Sequence, residues 1–371
     1  MADSQQKQST ADSPPLTLQP IGDPIFYDRV LWEARFSPQG RWLVGVGQDA
    51  KIVRWTVGDS TDENPTGLTA AESLTGHNGW LTGMVFHPTL EHLFTVDSWG
   101  QLACYPYAQA TASEPLWKLP AAHDGWIRAI AIHNSGAQIA TSGNDGVVRL
   151  WSTGDGAKVS EWTHGSKVMS LAFAPDGKSL VSGDLFGVIR QWDLERGEVV
   201  REISAAPLYQ KHNNQECGGV RRLVFSPRGD RLAAIGQKEP RGGFATGIPC
   251  VMVFDWETGT VEREMPVGDR NDGFAYDAIF HRSGHLIACS SAFPRKGPLW
   301  LWHPEEEEAA LIDKKLSNGF SLSPHPDGKR VALLICNAPN GNGRGLKGGE
   351  YPGGSSRIHL MQITPQEAND R

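Results

Sequence analysis

Three groups of residues in this 371-residue chain are of types that do chemistry. The stretch from Asn337 to Gly354, NAPNGNGRGLKGGEYPGG, looks like a loop that cradles a phosphate. Such a loop reads G-x-x-x-x-G-K-[ST] and opens a helix whose N–H groups and dipole converge on the anion. Here Gly-Gly follows Lys347, and the run Ser356-Arg-Ile-His-Leu-Met-Gln-Ile363 beyond it reads as a strand. A phosphate site does not follow, and a long strand-to-strand connection is left to explain. Histidines form the second group, 12 in all. His281 and His285, like His87 and His92, lie across short turns and not on one helix face, and no carboxylates complete a coordination sphere, so neither a metal nor any other cofactor is expected. The third group mixes imidazole, hydroxyl and carboxylate: His123, Thr141 and Asp145, with partial copies at His77 and Thr95 and at His164 and Ser182. These are the residue types of a hydrolase triad, but they recur at fixed places inside a repeated unit, which points to structure.

Composition narrows the class of fold that must hold them. Apolar residues make up 39%, Gly 42 and Pro 24 are abundant, and no long stretch has the 3.6-residue periodicity of an amphipathic helix. Many short strands joined by tight turns fit that combination. A net charge of −7 and a pI near 6.0 argue against a general nucleic-acid binder. Five scattered cysteines contain no CxxC pair, and the opening MADSQQKQSTADSPP has neither the basic nor the apolar segment of a secretory signal. With no window of 18 apolar residues, a cytoplasmic, reduced protein is expected, with no membrane partner.

Internal self-similarity organises the rest. Seven short turns begin at Ser37, His87, His133, Ala174, Ser226, His281 and His325, mostly in the form x-Pro-x-Gly. Before six of them stands a β-rich run ending in Phe36, Phe86, Ile132, Phe173, Phe225 or Phe280, and after each comes a second apolar run. A third run closes every unit on a bulky residue: Trp55, Tyr105, Trp151, Trp192, Phe254, Trp302 and Met361. A period of roughly 40 to 45, stretched by insertions, is that of one four-stranded propeller blade.

Residues Ala122-His123, Asn144-Asp145-Gly146-Val-Val-Arg-Leu-Trp151 and Val188-Ile-Arg-Gln-Trp192-Asp193 resemble the WD-repeat β-propellers, and the resemblance spans about residues 16 to 363. It implies an all-β, seven-bladed propeller with four strands per blade. It also implies a hydrogen-bonded tetrad of His, Ser/Thr, Asp and Trp, which His123, Thr141, Asp145 and Trp151 match in full. The sets His77, Thr95, Tyr105 and His164, Ser182, Trp192 are expected to lack the acid, since Trp99 and Phe186 stand at its place. Too few residues follow Met361 for an outer strand, so Leu16–Ile21 is expected to close the last blade beside residues 357 to 363. The expected organisation is a tail over 1–14, one propeller over 15–363 and a tail over 364–371.

In such a blade the second-to-third connections all meet on one face, termed upper. Blade seven carries 337–354 there, blade five Gln237–Pro249 and blade six Ser290–Pro298, joined by the long link 207–219. Their cations Lys238, Arg241, Arg295, Lys296, Arg344 and Lys347, against Glu239 and Glu350, suggest a positive canopy for an acidic or phosphorylated segment. Trp80, Trp126, Phe274, Tyr276 and Phe320, beside Arg128, Arg221 and Arg222, gather at the same rim with an interface-like composition. The run Glu305–Glu308 reads as a solvated turn. The resemblance implies a monomeric, non-catalytic platform for a protein or peptide partner. The alternative is a propeller enzyme, hydrolase- or lactonase-like, using Glu33, Asp272, Asp277, Asn213 or Asn318 at the channel mouth.

Overall fold

Each repeat becomes an antiparallel sheet because its apolar runs are strand-length and six of the seven first-to-second turns end on a glycine at positive φ. Gly40 (φ 72°), Gly136 (77°) and Gly328 (68°) close three such turns between a first and a second strand. The computed structural model of the chain describes residues 16–109, 111, 114–241, 246–292, 296–337 and 354–365. Seven four-stranded blades stand in a ring, with the first strand of each innermost and packed against those of its neighbours. Blade three is representative: Ile127–Ile132, Gln138–Gly143, Val147–Ser152 and Lys158–Thr163 pair in sequence order. No helix among the described residues is long and apolar enough to cross a membrane.

Burial follows position in the blade. Second strands are covered on both faces by adjacent blades, so Ser179–Asp184 is buried throughout and Gln138–Gly143 at every position after the first. Alternation of polar and apolar residues is lost there, as in any strand covered on both sides. The outer strand Lys158–Thr163 contains no buried residue. All seven closing residues, from Trp55 to Met361, lie in third strands and are buried.

The ring closes through the chain's N-terminal strands. Leu16–Pro20 pairs antiparallel with the last strand, Ser355–Pro365, from Leu16↔Pro365 to Pro20↔Met361. Ile25–Tyr27 then continues along the same strand at Ile25↔Ile358 and Tyr27↔Ser356. The last strand therefore extends past the expected boundary at 363. Leu16 enters the apolar layer between blades six and seven with Ile287, Leu301 and Ile363, so closure adds burial as well as ladder bonds.

Two connections read from sequence as loops contain strand. In blade five the pairing runs on as a hairpin, with strands Arg231–Arg241 and Thr246–Asp255 and a bulge between Lys238 and Arg241. Two strands can pair beyond the blade edge without a third, so Pro240 and Pro249 sit in a two-stranded extension. The link between blades four and five holds a second hairpin, Tyr209–His212 with Gln215–Gly218, turned by Asn213 and Asn214 at φ 49° and 58°. Residues 338–353, with most of the glycine-rich stretch, lie outside the described residues.

On the lower face the first-to-second turns touch in series. His325 Nε2 lies 3.1 Å from the Gly40 carbonyl oxygen, and His133 Nε2 lies 2.9 Å from that of Gly177. A Cβ on Gly136 would meet the His87 ring at 2.5 Å in addition to straining its φ. Gly136→Ala is expected to cost about 1–3 kcal/mol of stability in thermal or urea melts; a neutral outcome would show that this belt is loose. Deleting residues 1–21 is expected to lower the melting midpoint by several degrees, and an unchanged midpoint would refute closure by the N-terminal strands.

Candidate functional site

The starts of the inner strands deliver large rings to the upper mouth of the channel, because each strand enters from that end. Trp32, Trp80 and Trp126, from blades one to three, form one bank. Trp80 stands edge-on to both others, at 5.6 Å from Trp32 and 5.9 Å from Trp126, and is 45% exposed. Phe274, Tyr276 and Phe320, from blades six and seven, form the opposite bank, with Tyr276 4.4 Å from Phe320 and 6.0 Å from Phe274. Arg128 lies over Trp126 and Arg221 over Phe274, each 4.5 Å from the ring. The structure thus brings together Trp126, Arg128, Arg222 and Tyr276 around a cavity of about 330 Å³, with Trp80 packed against Trp126 at its side. Trp32 was missed from sequence because no histidine precedes it at the repeat's spacing; its place at the start of the first inner strand is the signal that could have found it.

Below the rings, four charged side chains tie opposite blades together. Glu33 of blade one accepts from Arg35 at 3.1 Å and from Arg222 of blade five at 2.8 Å, and its other oxygen accepts from the Met84 N–H of blade two at 3.0 Å. Asp277 of blade six pairs with Arg35 at 2.8 Å and Arg222 at 3.3 Å and accepts from the Leu322 N–H of blade seven at 2.9 Å. Burial alone would raise the Glu33 carboxyl, but Arg35 and Arg222 together hold it below the usual carboxylate range. Burial likewise disfavours charged Arg35, and Asp277 and Glu33 outweigh it. Arg222 is therefore engaged with two carboxylates within the protein.

The remaining candidates do not converge on this centre. Asp272 accepts from the Asp269 N–H and pairs with Lys314, Asn213 sits at a hairpin tip, and Asn318 is held by Ser291 and the Cys336 carbonyl. Among the described residues no group of three or more His, Cys, Asp or Glu is placed to hold a metal ion.

Two of the canopy's charges have partners from outside it. Lys238 is paired with Glu264 and Glu239 with Arg270, partners brought from the outer strand and the next connection. Arg241 and Lys296 are exposed, and the Lys296 backbone bridges to Ala292. Arg295, Arg344 and Lys347 lie outside the described residues.

Inside blade three, Trp151 Nε1 donates to Thr141 Oγ1 at 2.7 Å, His123 Nε2 lies 2.8 Å from the same oxygen, and His123 Nδ1 lies 2.9 Å from Asp145 Oδ2. Thr141 is fully buried. Trp99 and Phe186 hold the place of the acid, as expected, yet blade two draws a carboxylate from another position. In blade two His77 lies 2.8 Å from both Thr95 Oγ1 and Asp97 Oδ2. In blade four Asp184 stands 3.7 Å from His164, while Trp192 donates to Ser182 at 2.7 Å. Both acids end a second strand, three residues before the turn glycine, whereas Asp145 immediately precedes its glycine. In blade two the side chain from the strand end bonds the imidazole, so matching by sequence position overlooks it, whereas in blade four neither ring nitrogen of His164 has a hydrogen-bond partner. Blade one substitutes Tyr27, whose hydroxyl donates to Asp49.

Residues 113–152 and 156–193 match the family model described as WD domain, G-beta repeat. The chain is 25% identical over 243 residues to a guanine nucleotide-binding protein subunit beta of Arabidopsis thaliana, covering 64% of this chain and 59% of that one. A subunit beta of Zea mays is also 25% identical, over 71% of this chain and 67% of its own. The small ribosomal subunit protein RACK1z of Oryza sativa subsp. japonica is 27% identical over 43% of this chain and 46% of its own. The chain thus spans about three fifths of the first of these relatives.

Glu33→Gln should lower stability by about 2–4 kcal/mol at neutral pH, because two guanidiniums lose their shared carboxylate. With its folded-state pKa depressed, Glu33 contributes stability that is present above the ordinary carboxylate range and lost as pH falls through the folded value. The gap between wild type and variant in urea melts should therefore narrow in acid, and a gap independent of pH would contradict the network.

Proposed function

We propose that this chain, a WD40-repeat β-propeller, works as a non-catalytic platform that docks a peptide or protein partner on its upper face. The observation that carries the reading is the Trp32, Trp80, Trp126 bank, where a half-exposed indole stands at an open mouth beside arginines. Rings and arginines in a desolvated setting are the composition of interface hot spots. Relatives whose names mark them as a G-protein subunit or a ribosomal subunit protein, both parts of assemblies, support the same reading. The two carboxylates at the mouth are each held by two guanidiniums, which leaves neither free to act as a base. An acidic or phosphorylated partner segment, with Arg241 and Lys296 as outlying cations, is the finer reading.

Trp80→Ala and Trp126→Ala together should abolish capture of partners that wild type retrieves from a cell lysate, while the melting midpoint moves little. Retained capture by a folded double variant would overturn the platform reading at this face; a collapsed melt would assign the rings to packing.

A further inference from the structure

The six ionisable side chains of Asp, Glu, Lys, Arg and His type that line the channel mouth and the space below it are Glu33, Arg35, Arg128, Arg221, Arg222 and Asp277. Both carboxylates are taken by Arg35 and Arg222. Arg128 and Arg221 remain, and neither has an ion pair among the described residues. The cavity therefore carries an excess of two positive charges on a protein whose net charge is −7.

These two guanidiniums are held in place by something other than counter-ions. Arg128 donates from Nε to Asn144 Oδ1 at 2.9 Å and rests on Trp126, while Arg221 rests on Phe274. Burial, and then the neighbouring Arg221, disfavour the charged form of Arg128. Arg221 Nε is buried and has no hydrogen-bond partner. Two like charges facing one partly buried cavity, one with an orphaned donor, form an unfavourable arrangement that an oxyanion relieves by neutralising both and accepting from both. Ring faces fix each guanidinium before binding, so little side-chain freedom is left to lose.

We propose that Arg128 and Arg221 together receive one oxyanion carried on a side chain of the docked peptide, with a flanking apolar residue resting on the tryptophan bank. This rests on the platform reading and moves its anion-binding centre from the loops of blades five to seven into the channel mouth. A phosphorylated side chain, carrying close to two negative charges, matches the excess; a carboxylate neutralises half of it.

Three small peptides separate the cases by calorimetric titration: N-acetyl-phosphoseryl-leucine amide, its aspartyl counterpart and its uncharged seryl counterpart. Binding is expected to rank phosphoseryl, then aspartyl, with the seryl compound undetected. Arg128→Gln and Arg221→Gln should each weaken the phosphoseryl compound by at least about tenfold. Equal binding of the seryl and phosphoseryl compounds overturns the proposal, as does unchanged binding by a folded double variant. Wild type supplies a readout that needs no variant: inorganic phosphate should raise its melting midpoint above that in chloride at matched ionic strength, and no rise counts against the site. If the peptides fail while Trp80→Ala with Trp126→Ala still abolishes partner capture, the oxyanion site falls and the platform stands. If that pair retains capture, the platform falls however the peptides behave.

Discussion

A blade of four strands has two apolar faces, and no blade can cover both by itself. That constraint accounts for most of what the chain does. The apolar clusters lie between blades: Leu31, Phe36 and Trp55 of blade one share theirs with Leu334, Ile358 and Leu360 of blade seven. Only a closed circle leaves no blade face uncovered, and two N-terminal strands lie along the final one to close it. With each closing side chain buried in a third strand, the third strands form a second ring of anchors outside the inner one.

Closing a ring leaves polar groups in places without water, and three devices satisfy them. The imidazole, hydroxyl and carboxylate sets of blades two and three bond within a blade. Arg54, fully buried, donates to the carbonyls of Tyr107 and Gln109 and so joins blade one to blade two. At the channel, Arg222 to Glu33 and Arg35 to Asp277 reach between blades that are not neighbours in the ring. Charges that look available in a sequence are used up in these ways, and Arg128 and Arg221 stand apart as the pair left over.

The reading of four arginines at one mouth shows why pairing matters more than counting. Arg221 and Arg222 are adjacent in the chain, yet one meets Phe274 and the other two carboxylates. Successive residues point to opposite sides of a strand start, so sequence proximity carries no information about which of them finds a counter-charge. The canopy illustrates the same point: Lys238 was counted against Glu239 and Glu350, whereas folding places Glu264 against it.

Repeat number and the closing N-terminal strand were legible in the chain, because strand-length apolar runs recur seven times and a glycine ends the first turn in six of the repeats. The gathering of Trp80, Trp126, Tyr276 and Arg128 at one rim followed from blade symmetry alone. Tertiary structure decided the rest: that Trp32 completes the aromatic bank, that Asp97 supplies the acid of blade two, that two supposed loops contain hairpins, and which arginines are neutralised. Those outcomes depend on distances between side chains tens to hundreds of residues apart, and such distances exist only once the ring has closed.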